Sequence, residues 1–151
     1  MKQLLVLICI AFVNIECLVA ENHWHTHFSY NSVQLIAMDS SEVYALANGK
    51  LFSINQQTEA LTLFTNFSGL HGTEIVHIAY DESHCQLLIL YADGKMDILC
   101  NHKVKYVPDL YNKQMTSSKI CNNITFHGNI AYLSMDFGIL TFDLVEHKFV
   151  D

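Results

Sequence analysis

Apolar residues in this chain fall in short runs, broken by glycine, asparagine and aspartate. One frame recurs three times. Val43-Tyr44-Ala45-Leu46-Ala47-Asn48-Gly49-Lys50-Leu51-Phe52 is the first copy. Leu87-Leu88-Ile89-Leu90-Tyr91-Ala92-Asp93-Gly94-Lys95-Met96 is the second, and Ala131-Tyr132-Leu133-Ser134-Met135-Asp136-Phe137-Gly138-Ile139-Leu140 is the third. Gly49, Gly94 and Gly138 lie 45 and 44 residues apart. A period of about 40–50 residues built from short strands is the signature of a β-propeller blade.

The runs predict four antiparallel strands per repeat. In the first they cover 33–37, 43–47, 50–54 and 61–64; in the second, 75–80, 87–91, 95–99 and 104–107. In the third they cover 124–126, 130–134 and 139–143, with a last strand starting near Phe149. Strands such as 87–91 are apolar on both faces. An antiparallel sheet with one wet face alternates instead, so these sheets should be sandwiched between neighbours. Asn48-Gly49 and Asp93-Gly94 are pairs that accept the positive φ angles of a type I′ turn. Asp136-Phe137-Gly138 suggests a longer turn, with Gly138 in the left-handed position. The connectors, 65–73 and 108–118, hold or border Gly69, Gly72 and Pro108, as turn chemistry requires. The expected architecture is therefore all-β: a partial propeller with blades at about 33–64, 75–107 and 124–151. Closed propellers have four to eight blades. Three cannot close a ring, so the chain reads as the N-terminal part of a larger propeller or as a truncated gene product.

Composition adds an address. Lys2, the apolar run 4–13 and the small residue Ala20 have the form of a secretory signal peptide over residues 1–20. Asn14 and Glu16 interrupt that run too early for a membrane span. The mature domain would be 21–151. Net charge is −7, all eight basic residues are lysine, and nucleic-acid binding is not expected. Five lysines, Lys95, Lys103, Lys105, Lys113 and Lys119, cluster between residues 95 and 119. They are candidates for contact with an anionic ligand, and solvated edge lysines are the plainer reading.

No nucleophile elbow, phosphate loop or metalloprotease motif is present, and no cofactor or catalytic residue is expected. His23, His25 and His27 alternate and would share one face of a strand. Cleavage after Ala20 would also place His23 third from a free amine, a donor set suited to copper(II) or nickel(II). They are the candidate metal ligands. Cys85, Cys100 and Cys121 remain after cleavage, an odd number. With a two-residue turn at Asp93-Gly94, Leu87 faces Cys100 and Cys85 lies diagonally, roughly 7–8 Å away, too far for an unstrained disulfide. Three buried thiols are expected.

An ordered set of phrases goes further. Phe67-Ser68-Gly69-Leu70 precedes Ile78-Ala79-Tyr80; then come 88–97, Val107-Pro108-Asp109, 118–122 and 131–139. In this order and spacing they resemble the N-terminal propellers of the PorZ family, type IX secretion proteins of Bacteroidota, over about 24–151. Cys121 stands where the resemblance implies an aliphatic residue. The resemblance implies a non-enzymatic exported protein of the periplasm or outer-membrane surface. Its implied partners are the sortase PorU, the attachment-complex proteins PorV and PorQ, and anionic lipopolysaccharide, which it would present to the sortase. It assigns no ligand-binding residue here. The alternative is the periplasmic sensing propeller of a hybrid two-component regulator. Reading the gene beyond Asp151 separates the two.

Overall fold

In the computed structural model, residues 31–150 are described. Among the described residues twelve strands form three antiparallel meanders. The first sheet holds β1 (Val33–Met38), β2 (Glu42–Ala47), β3 (Lys50–Asn55) and β4 (Leu61–Phe64). The second holds β5 (Ile75–Asp81), β6 (Gln86–Tyr91), β7 (Met96–Cys100) and β8 (Lys103–Val107). The third holds β9 (Cys121–His127), β10 (Ile130–Met135), β11 (Gly138–Asp143) and β12 (Lys148–Val150). Two short turns of helix sit in the connectors: a 3-10 turn at Asn66–Ser68 and α1 (Asp109–Asn112).

β1 lies beside β5, and β5 beside β9. The first strand of each sheet therefore lines a common inner edge, and the sheets fan outward from it. Two apolar seams hold the fan together. Tyr44, Leu46 and Leu51 of the first sheet meet Ile78, Leu87, Ile89 and Tyr91 of the second. Leu88, Leu90, Met96 and Ile98 of the second meet Ile124, Leu133 and Phe142 of the third. The middle sheet is thus covered on both faces, and every residue of β6 is buried. This is why its sequence does not alternate.

The two flanking sheets differ from the middle one on their outer sides. Ile36 and Met38 of β1 and Ile139 of β11 are exposed. Each inner strand also carries a β-bulge near the same end, at Gln34, Val76 and Asn122. An extra residue there sharpens the local twist, and the three bulges border one inner-edge cavity of about 570 Å³.

The turns refine the sequence reading. Asn48 and Gly49 both have positive φ, 51° and 72°, as a type I′ turn needs. Asp93 does not; only Gly94 does, at 87°. The loop is therefore three residues long, and Tyr91 rather than Ala92 faces Lys95, with Tyr91 N–H donating to Lys95 O at 3.1 Å. The register moves by one: Leu87 pairs with Leu99, not Cys100. At the third copy the loop is shorter than expected, since Met135 pairs directly with Gly138. The β7–β8 hairpin was not marked by any glycine. Asn101 and His102 make it, with φ of 47° and 59°, in a region that asparagine and histidine enter more readily than most residues.

Candidate functional site

The upper face of the fan carries the β2–β3, β6–β7 and β10–β11 turns and both connectors. Three of the candidate lysines gather there. Lys95 Nζ lies 4.6 Å from the Tyr111 ring centroid, and Lys119 Nζ lies 6.0 Å from it. Lys119 Nζ also donates to Tyr111 O at 2.8 Å. α1 presents Tyr111, and Lys113 caps the same helix. Gly94 makes room: a Cβ there would sit 2.6 Å from the Lys119 stem. Tyr111 is 44% exposed, and two ammonium groups lie over its ring. Lys95 is also held by Asp93, with Nζ 2.7 Å from Oδ2. That hydrogen bond keeps Lys95 above its ordinary pKa. Burial opposes ionisation of Asp93, yet the bonds from Lys95 hold its carboxyl below the usual range.

Lys103 and Lys105 lie apart from this group. Both are on β8, paired with Cys100 and Ile98 toward the opposite end of the hairpin. Lys105 Nζ is 2.9 Å from His147 Nδ1 in the third sheet. The five lysines of the sequence cluster thus serve two places. The candidate metal ligands His23, His25 and His27, and the expected signal segment 1–20, lie outside the described residues. Among the described residues no group of three or more histidine, cysteine or acidic side chains could hold a metal.

His71 lies in the connector between β4 and β5, and Asp97 lies on β7. The structure joins them. Asp97 is fully buried and accepts from the Tyr91 hydroxyl at 2.6 Å, from His71 N–H at 2.8 Å, and pairs with His71 Nδ1 at 2.9 Å. The Tyr91 hydroxyl is held well above its ordinary pKa, by burial first and then by Asp97. Gly72 lets the connector pass over Tyr91, since a Cβ there would lie 2.2 Å from the ring. This network ties the 65–74 connector to the middle sheet. The available signal was an aspartate inside a run of otherwise apolar strand residues. Cys121 is buried, and burial pushes its thiol up to about 11. Cys85, contrary to expectation, is exposed, because it occupies the left-handed position of the β5–β6 turn at φ 52°.

The geometry defines three adjacent blades of a β-propeller. Residues 43–151 match the family described as the type IX secretion system PorZ N-terminal β-propeller domain. The chain belongs to that family. A solved relative is PorZ of Porphyromonas gingivalis, described as an essential bacterial surface component of the type IX secretion system. It is 31% identical over 84% of this chain, with a TM-score of 0.78. The extracellular domain of a hybrid two-component system of B. thetaiotaomicron shares the fold, at 15% identity over 80% of this chain and a TM-score of 0.60. The chain spans 17% and 16% of the lengths of these two proteins. A search of curated proteins found no significant match. Among the described residues no helix is long and apolar enough to cross a membrane.

Proposed function

We propose that this chain is a recognition module of a type IX secretion component at the cell surface or in the periplasm. It makes no bonds itself. It binds anionic lipopolysaccharide and helps present it to the sortase PorU, alongside PorV and PorQ. Membership of the PorZ propeller family supports the secretion context. The observation that carries the binding role is the Tyr111 ring flanked by Lys95 and Lys119. A flat aromatic face suits a sugar ring, and paired ammonium groups suit phosphate or carboxylate substituents. The signal segment 1–20 fits delivery across the inner membrane.

The test is a double charge reversal, Lys95→Glu with Lys119→Glu, in the full-length protein. Lipopolysaccharide capture at low salt should fall sharply. Reversal at Lys103 and Lys105, which face elsewhere, should do much less. Equal capture by wild type and the Lys95/Lys119 variant would remove this site.

A further inference from the structure

The lower face, which carries the β1–β2, β3–β4, β5–β6, β7–β8 and β11–β12 turns, holds a second and different feature. Glu42 and Gln86 are equivalent positions. Each opens the second strand of its sheet, and they are 44 residues apart. Gln86 is buried and reaches across its seam. Its Nε2 donates to Leu144 O at 3.0 Å, and its Oε1 is 2.9 Å from His147 Nε2. Glu42 faces the other seam. Its Oε1 accepts from Asn55 Nδ2 at 2.9 Å. Its Oε2 is buried and has no hydrogen-bond partner among the described residues.

The reason lies in the hairpin opposite. Four residues, 144–147, join β11 to β12, whereas only Asn101 and His102 join β7 to β8. The longer loop fills the end of its seam and supplies partners to Gln86. The shorter loop leaves a cleft of about 260 Å³, lined by Asp39, Glu42, Tyr44, Tyr80, Asn101 and His102, among others. Both blades that form it are present, so the cleft does not depend on further blades.

The cleft is negative. Burial opposes ionisation of Asp39, yet bonds from Ser41 and Glu42 N–H and from the Ser41 and Tyr44 hydroxyls hold its carboxyl below the usual range. Among the described residues no lysine lines the cleft, and the chain has no arginine. The Tyr44 and Tyr80 rings stack along one wall, 6.2 Å apart and 18° from parallel. Burial, then the Cys85 thiol and Asp39, pushes Tyr80 up to about 12, so its ring stays neutral. A shallower depression beside the cleft adds Glu82 to the same wall.

A buried carboxylate oxygen without a donor is costly, and a charged N–H donor satisfies it best. Aromatic faces attract cations as well. We propose that this cleft binds the cationic head of an organic amine, an ammonium or guanidinium group, with the Glu42 side chain turning so that Oε2 accepts its N–H and the Tyr80 side of the aromatic wall facing its charge. The proposal is independent of the lysine platform, which lies on the other face and takes the opposite charge.

Agmatine, cadaverine and the tripeptide Gly-Lys-Gly should be titrated into the full-length protein, followed by calorimetry and melting temperature. Binding should be saturable and should weaken as salt rises. Glu42→Gln should bind about tenfold more weakly, the loss of one charge-assisted hydrogen bond. Tetramethylammonium, which has charge but no N–H, should bind several-fold more weakly than agmatine. Tighter binding of the tripeptide would place the cation on a protein side chain, and tighter binding of the free amines would place it on a small molecule. The proposal is overturned if no amine binds wild type. It is also overturned if Glu42→Gln, shown by its melting temperature to be folded, binds agmatine as wild type does. Equal binding of tetramethylammonium would overturn the role given to Glu42 Oε2.

Discussion

The two seams of this fan bury similar side chains but finish differently. Between the second and third sheets, apolar packing runs down to Gln86, His147 and Leu144, which clasp the lower end. Between the first and second, the packing stops at an open acidic cleft, and the polar anchor, Asp97 with Tyr91 and His71, lies near the upper end instead. The repeat supplies the same strands to both. Loop length and one carboxylate in place of a carboxamide decide which end is sealed. The closed seam is expected to act as structure, and the open one leaves room for a ligand.

The comparison predicts that the closed seam bears the most load. Phe142 is fully buried, edge-on to Phe149 at 5.1 Å and parallel to the His147 ring. Phe142→Ala should cost roughly 3–5 kcal/mol, measured by chemical denaturation. A loss no larger than a typical surface change, about 0.5 kcal/mol, would mean that the third sheet does not dock as described.

The anchor of the open seam comes next. Asp97→Ala leaves the Tyr91 hydroxyl and a His71 N–H without their acceptor and should cost about 2–3 kcal/mol. Gly72→Ala presses a methyl into the Tyr91 ring and should cost about 1–3 kcal/mol. Both changes act on Tyr91, so the double variant should lose less than the sum. Strict additivity would show that the connector and the buried carboxylate are separate units.

Most of the fold was legible in the chain, for a physical reason. Strand positions follow from runs of apolar residues, and a sheet covered on both faces announces itself by failing to alternate, as 87–91 does. Asn48-Gly49 could be read because positive φ at two successive residues narrows the choice of side chains. The pair Asn101-His102 could not, since neither residue demands a turn. The register at Asp93-Gly94 was missed because one glycine serves both a two-residue and a three-residue loop, and only the partner of Tyr91 distinguishes them. The sites were less legible still. Lys95 and Lys119 are 24 residues apart in sequence and meet only because α1 places Tyr111 between them. The lysine run implied one patch, whereas strand direction sends Lys103 and Lys105 away from it. Glu42 was invisible because its meaning lies in a loop of the neighbouring blade that is two residues shorter than its counterpart.

The clasp of the closed seam should also respond to pH. Burial, and then the nearby Lys105 ammonium, lowers the His147 pKa from its ordinary value of 6.5. The unfolded chain therefore takes up this proton first. The stability linked to it is fully present above about pH 6.5 and declines as pH falls toward the lowered folded value. His77, lowered by burial, acts in the same direction. Stability measured from pH 7.5 to 5 should fall, and His147→Gln should flatten part of that slope, by no more than about 1 kcal/mol. An unchanged slope would mean that His147 is equally protonated in the folded and unfolded chain. The carboxylates held below their usual range, Asp39, Asp93, Asp136 and Asp143, act only at lower pH.

The smallest effect bears most directly on the difference between the seams. Glu42→Gln gives the open seam the side chain that Gln86 supplies to the closed one. It replaces the buried, unpartnered carboxylate oxygen with an amide nitrogen and keeps the oxygen that meets Asn55. If the carboxylate is retained for packing, the change should be neutral or harmful. If it is retained to meet a cation, stability without ligand should improve, by about 1 kcal/mol or less, because stability has been given up there for binding. Denaturation curves of wild type and Glu42→Gln without added amine separate these cases. A clear loss of stability would mean that Glu42 supports the fold, and the open end of this seam would then be an accident of loop length.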